Sequence, residues 1–249
     1  MFLQHLKIDS AQVTSYVLLP GDPARVDLIG RKLDGFQIVN QNREFRIGIG
    51  SYQGLSITVC STGIGCPSTA IVVEELISAG AKVLIRVGTC GGAWRADIPV
   101  GSLVIPMACI RDEGTTKEYI GLEFPAVADF CVVAALVKTA QELQQKFFVG
   151  INRTHDAFYA PPNSKAKWVG VGESILSSEM EAAALLVIAS LRGVKAGVIL
   201  AVNADPEPLQ SRLIGQTQKV VAEASSEVTA AVVDQMINVA LGAIIMLVK

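Results

Sequence analysis

Val83-Leu84-Ile85-Arg86-Val87-Gly88-Thr89-Cys90-Gly91-Gly92 is an apolar run interrupted by one arginine and followed by a glycine-rich tail. Residues 83–87 read as a strand buried on both faces, and the tail reads as the turn that ends it. Outward from this stretch, similar runs recur at 16–19, 55–60, 103–107 and 196–202. Between them, residues 68–79, 128–145, 178–191 and the segment from Gln216 onward carry helical periodicity. This alternation predicts a layered α/β fold around a largely buried sheet. The most polar, proline-containing segment, 160–172, is short enough to be a surface loop, so the 249 residues are read as a single domain.

Composition narrows the function. Hydrophobic residues make up 51% of the chain and charged residues 18%, as expected where helices cover buried strands. A net charge of −2 provides no broad basic field, which argues against a nucleic-acid partner. Five cysteines, at 60, 66, 90, 109 and 131, form no C-x-x-C pair and read as reduced thiols, mostly in the core. With only His5 and His155, the chain has little material for a multi-histidine metal site, and none is expected. The N-terminus shows no secretory pattern, and the apolar run 239–248 is shorter than the roughly 20 residues a bilayer needs. A soluble cytoplasmic protein with no membrane partner is the expectation.

Three glycine-rich turns follow strand-like runs: Pro20-Gly21-Asp22-Pro23, Thr62-Gly63-Ile64-Gly65 and Gly88-Thr89-Cys90-Gly91-Gly92. Ligands of open α/β sheets collect beyond the carboxyl ends of strands, where glycine lets backbone N–H groups approach an anion. The three turns therefore predict one shared pocket. None carries the G-x-G-x-x-G dinucleotide pattern, and a Walker lysine is missing.

Arginines stand beside these turns at 25, 43 and 86. Burying a guanidinium without a partner is costly, and its planar fork suits phosphate or carboxylate. Arg86 is thus either an anion ligand or half of an internal ion pair with Glu74 or Glu75. Arg25 and Arg43, taken singly, also read as solvated surface residues. In Ser178-Glu179-Met180-Glu181 the Glu181 carboxylate could grip sugar hydroxyls, or Ser178-x-x-Glu181 could be a helix-capping box. Asn203-Ala204-Asp205-Pro206 follows a strand and reads as ligand-facing polar groups or as a simple turn.

In this order the motifs resemble the hexameric nucleoside phosphorylases, a family of uridine phosphorylases and bacterial-type purine nucleoside phosphorylases. The most specific stretches are Gly21-Asp22-Pro23-Ala24-Arg25-Val26, Asn42-Arg43-Glu44-Phe45, Arg86-Val87-Gly88-Thr89-Cys90-Gly91, Glu123-Phe124-Pro125-Ala126-Val127-Ala128-Asp129-Phe130 and Glu179-Met180-Glu181-Ala182-Ala183. The resemblance implies a single-domain three-layer αβα sandwich with a central mixed, largely parallel twisted sheet. It implies phosphate binding by Gly21, Arg25, Arg86 and Thr89, with Arg43 reaching in from a neighbouring subunit. His5, also from the neighbour, would touch the ribose beside Met180 and Glu181, while Cys90, Gly91, Phe158, Glu179 and Asn203 complete the nucleoside site. The catalytic set would be Arg86, Glu181 and either Asn203 or Asp205, in a dimer-based homohexamer. Inorganic phosphate is the co-substrate and no cofactor is implied.

Base preference follows from departures within the family. Uridine phosphorylases carry a longer insertion after the Phe158 position, with a glutamine and an arginine that clamp uracil. Ala160-Pro161-Pro162-Asn163-Ser164 supplies neither, and its short link to Glu179 resembles the purine enzymes. Against this, many purine enzymes place an aspartate near Asn203 or Ala204, whereas this chain has Asn203 and Ala204 and reaches an aspartate only at Asp205. Purine nucleosides are the expected substrates, uridine the alternative, and a non-catalytic storage-type homologue the distant one.

Overall fold

The computed structural model describes residues 1–92, 95, 97–160, 167–168, 171, 174–204 and 226–248. The first half carries β1 (Tyr16–Leu19), α1 (Pro23–Gly30), β2 (Asp34–Asn42), β3 (Phe45–Tyr52), β4 (Leu55–Cys60), α2 (Cys66–Ser78) and β5 (Val83–Gly91). Then follow β6 (Leu103–Asp112), α3 (Thr115–Tyr119), β7 (Ala126–Val127), α4 (Phe130–Glu142) and β8 (Phe147–His155). The chain continues through β9 (Ile175–Glu179), α5 (Ala182–Leu191), β10 (Lys195–Ala204) and α6 (Ser226–Val248).

The strands form one 10-stranded mixed sheet. Its centre is a parallel block in the order β4-β1-β5-β10, so these strands send their carboxyl ends to the same edge. The parallel character expected from sequence belongs to this block and to the β6-β8-β9 ladders. Antiparallel pairing extends the sheet through β3 and β2, and joins β10 to β6 and β5 to β9. The ladders β5-β10-β6-β8-β9-β5 thus close on themselves.

Two apolar layers cover the sheet, as the layered reading requires. One includes Leu84, Val104, Val198 and Leu200 under residues of α2 and α5. The other includes Ile85, Val87, Ile105 and Ile199 under α1, α4 and α6. Alternate residues of β5 enter opposite layers, which explains why its run is continuously apolar.

Several expected boundaries move. Residues 88–91 continue β5 because β10 pairs with it from Val83 to Gly91, and ladder hydrogen bonds override the weak strand preference of glycine. The helix expected from Ser178 begins at Ala182, since residues 175–179 pair with β8 as β9. Of the helix expected from Gln216, residues 216–225 lie outside the described residues and α6 runs from Ser226. At 23 residues α6 is long and apolar enough by length and composition to cross a membrane, so residues 239–248 alone understate the run. Here Val232, Met236, Val239, Ala240 and Ala243 bury one side of it in the second layer.

Candidate active site

The turns after β1 and β4 are joined directly. Gly63 N donates to Gly21 O at 3.0 Å and Thr62 N to Pro20 O at 2.9 Å. Arg86 lies level with Leu19 on one side and Val198 on the other. Its guanidinium folds back over Gly88, where a Cβ would come within 2.7 Å of Nη2. Gly88 is therefore required by the close approach of a charged group and not by turn conformation.

Arg86 is 3% exposed and bound by two carboxylates. Nε donates to Glu179 Oε2 at 3.0 Å, and Nη2 donates to Glu181 Oε2. The ion pair foreseen with Glu74 or Glu75 is not formed: Glu74 binds Arg192, and Glu75 binds His5. Sequence separation hid the true partners, which a strand and a helix start bring to the end of β5. Arg86 Nη1 is buried without an acceptor among the described residues, and a Cβ on Gly21 would lie 3.8 Å from it.

Arg25, in the first turn of α1, donates from Nη1 to Val87 O at 3.3 Å. Burial, and then the positive charge of Arg86, lower its pKa from the ordinary arginine value. Two guanidiniums that feel each other beside a glycine turn have the chemistry to receive an anion.

The two glutamates differ. Glu179 is 5% exposed and accepts from Asn152 Nδ2 at 2.9 Å, Thr154 Oγ1 at 2.6 Å and Arg86 Nε at 3.0 Å. Its Oε2 also accepts the N–H groups of Glu181 and Ala182, both at 2.9 Å. These donors take up the capacity of a carboxylate, so Glu179 fixes Arg86 and the start of α5. The capping box read at Ser178 is replaced by this arrangement, because Ser178 is a strand residue and Glu181 is itself the N-cap of α5.

Glu181 accepts from Gly65 N at 2.7 Å and from Arg86, keeping lone pairs for a further donor. Gly65 holds this geometry at φ 93°, a conformation open to glycine. Burial raises the Glu181 pKa, the attraction of Arg86 opposes it, and the net direction is upward. Met180 presents its carbonyl to Cys66 Sγ at 3.2 Å.

Thr89, Cys90 and Gly91 finish β5. The Cys90 thiol is buried and held protonated by that burial, so this residue offers a ligand its backbone. Asn203 sits at an irregularity in the β5–β10 ladder, between Val202, paired with Cys90, and Ala204, paired with Gly91. Asp205 lies outside the described residues. Phe158, after β8, is 67% exposed and meets Tyr159 edge-on.

His5 and Arg43 do not join this group. Arg43 is exposed at the β2–β3 turn with φ 55°, and its neighbour Glu44 is bound by Ser68 beside Gly63. His5 Nδ1 lies 2.7 Å from Glu75 Oε1, and Asn42 Nδ2 donates to His5 O at 2.7 Å. Hollows of about 300 and 430 Å³ lie at Gln53, Leu55 and Ile245 and at Asp27, Arg31 and Phe36, neither bordering the arginine pair. Sequence reading missed Asn152 and Thr154, whose signal is polar residues at alternate positions in a strand with a buried inner face.

Fold and site together define an α/β protein with two neighbouring guanidiniums at the carboxyl edge of a parallel block. The chain belongs to the phosphorylase superfamily, whose model matches residues 15–237, and it is a pentosyltransferase of the nucleoside phosphorylase kind. It is 41% identical over 201 residues to the guanosine phosphorylase of Halorubrum lacusprofundi, covering 80% of this chain and 82% of that one. With the uridine phosphorylase of Treponema pallidum it shares 43% over 208 residues, 80% of each chain. The purine nucleoside phosphorylase of Toxoplasma gondii, solved in complex with immucillin-H, matches with TM-score 0.88 and 30% identity over 98% of this chain and 96% of that one.

Proposed function

We propose that the chain is a purine nucleoside phosphorylase that splits the N-glycosidic bond of a purine ribo- or deoxyribonucleoside with inorganic phosphate. One observation carries the reading: Arg25 lies close enough to Arg86 to feel its charge, and Arg86 Nη1, near Gly21, has no acceptor among the described residues. A phosphate there satisfies that donor and takes Arg25 as a counter-charge, since Glu179 and Glu181 already offset Arg86. Breaking the bond builds positive charge on the sugar, as in other oxocarbenium-like glycosyl transfers, and negative charge on the base. Phosphate is nucleophile and counter-charge at once, so positioning and preorganised electrostatics supply the acceleration.

Gly21, Arg25, Arg86 and Thr89 hold the phosphate, and no cofactor takes part. Glu181 accepts hydrogen bonds from the ribose hydroxyls with the lone pairs it has left. Glu179 acts through Arg86 and Glu181. The base lies along Cys90, Gly91 and Met180, near Phe158, with Asn203 or Asp205 donating to the departing ring. His5 and Arg43 stand apart in one chain and serve a neighbour's site, in a homo-oligomer built of dimers. The whole chain acts as a single domain, without nucleic acid or membrane.

Purine is favoured because residues 160–164 lack the glutamine and arginine of the uracil clamp. The uridine alternative draws support from the 43% identity to the Treponema pallidum protein. Chromatography of inosine, guanosine, adenosine and uridine, each with and without phosphate, tests the reading. Purine nucleosides should be cleaved only with phosphate present. Cleavage in phosphate-free buffer would make the chain a nucleosidase, turnover of uridine alone would reassign the base, and no turnover would favour the storage-type homologue.

A further inference from the structure

One polar cluster lies outside this machinery. Arg153 on β8 is 5% exposed, and its Nε and Nη2 both donate to Asp112 Oδ2, at 2.8 and 2.6 Å. Lys167 binds the same carboxylate. Both cations lie over the ring of Trp168, 5.6 and 5.1 Å from its centroid. Burial acts to raise the Asp112 pKa, but the Lys167 and Arg153 hydrogen bonds outweigh it and hold the carboxyl below its usual range. Asp112 stays charged, and Arg153 stays fixed.

Two donors in the cluster lack good acceptors. Arg153 Nη1 has Ser178 Oγ at 3.5 Å, beyond the usual range for such a bond. Trp168 Nε1 is buried with no partner among the described residues. A buried donor left unsatisfied costs about 1–3 kcal/mol, so an acceptor brought by a ligand is favoured.

Register places the cluster beside the end of β5. Arg153 is paired with Ser178 on β9, and Ser178 with Gly91. Cross-strand partners point to one face, and adjacent strands are about 4.8 Å apart. Arg153 therefore stands two strands from Gly91 on the same face. Among the described residues, a Cβ at Gly91 would meet nothing within 4 Å.

We propose that Arg153 and Trp168 form the receptor for an exocyclic carbonyl oxygen of the base, making the chain selective for oxo bases over amino bases. The proposal rests on the nucleoside phosphorylase reading, which places the base at Gly91, and it names the base class that site takes. Two N–H donors match the two lone pairs of a carbonyl oxygen. An exocyclic amine instead turns hydrogens toward both donors and leaves them unpaired. Sites built on buried hydrogen bonds reject the wrong analogue by up to about 10⁴-fold, and the partial contact with Ser178 reduces the expected factor here to roughly 100.

Calorimetric titration with hypoxanthine and adenine, run beside phosphorolysis of inosine and adenosine, tests this. Hypoxanthine should bind the wild-type protein roughly 100-fold more tightly than adenine. Trp168→Phe keeps the ring under the cations and removes only the N–H, and should narrow that gap about 10-fold. Arg153→Lys, which keeps the charge but not the fork, should narrow it as well. Failure to bind hypoxanthine, equal affinity for the two bases, or an unaltered preference in Trp168→Phe overturns the receptor. Base binding is read without turnover, so the two ideas fail separately. A preference for hypoxanthine in a protein that performs no phosphorolysis sinks the phosphorylase reading alone, and phosphorolysis without an oxo preference sinks the receptor alone.

Discussion

A guanidinium inside an apolar strand must be neutralised, and Arg86 is neutralised twice, by Glu179 and Glu181. Removing it leaves two buried carboxylates facing each other, a change that costs about 3–5 kcal/mol in comparable pairs. Arg86→Ala would therefore confuse loss of folding with loss of phosphate. Arg25 separates the two. It has one hydrogen bond of 3.3 Å to Val87 O and is repelled by Arg86, so the fold gains little from its charge. Arg25→Ala should raise the KM for phosphate about 10-fold or more, as expected for a lost bond to a charged group, and leave the Tm close to wild type. Phosphate should stabilise the wild-type protein against heat, and the variant should lose most of that shift. An unchanged phosphate KM in Arg25→Ala would remove this residue from the anion site. The arginines were legible in the sequence as costly charges beside glycines, but the carboxylate partners of Arg86, more than 90 residues away, were not.

At the scale of elements, the junction of β9 and α5 carries the site. Residues 175–179 lie in a strand and Ala182 begins a helix, so Glu179 and Glu181 straddle a sharp change of direction. Helical periodicity extended backward through Ser178 hides that change, because Ser-x-x-Glu before an apolar run is the usual mark of a capped helix. The ladder with β8 wins over this local preference. Glu179 does the capping instead, taking the N–H groups of Glu181 and Ala182. Glu179→Gln should destabilise the protein by about 3 kcal/mol or more, since an amide N–H₂ would then face donors and Arg86 would lose a counter-charge. Urea unfolding measures the loss, and a midpoint equal to wild type would show that the junction does not depend on this carboxylate. The extension of β5 through Gly91 has a similar origin. Glycines that suggest a turn when read alone are held in a strand by β10, and Gly91 by β9 as well.

Across the whole molecule, the expected site divides in two. Arg25, Arg86, Glu181 and the end of β5 gather at the carboxyl edge of the parallel block, while His5 and Arg43 are placed near Glu75 and Glu44. If Arg43 serves a neighbour's site, oligomers assembled from Arg43→Ala and Arg86→Ala chains should recover activity in those interfaces that hold both wild-type residues. Phosphorolysis by confirmed mixed oligomers, compared with each variant alone, reads the effect. No recovery would confine each site to one chain. Arg86→Ala is usable here only if it assembles, and Arg25→Ala can stand in its place.

The sequence by itself determined the layered α/β class, the alternation of strands and helices, and the chemical types gathered near the glycine turns. Those features are local: apolar period, turn chemistry and the cost of a buried charge can be read within a few residues. Tertiary structure alone decided which carboxylates neutralise Arg86, that β5 continues through its glycines, and that Arg153, Asp112 and Trp168 meet two strands from Gly91. The reason is that strand register sets which distant residues share a face, and register depends on every neighbouring strand at once.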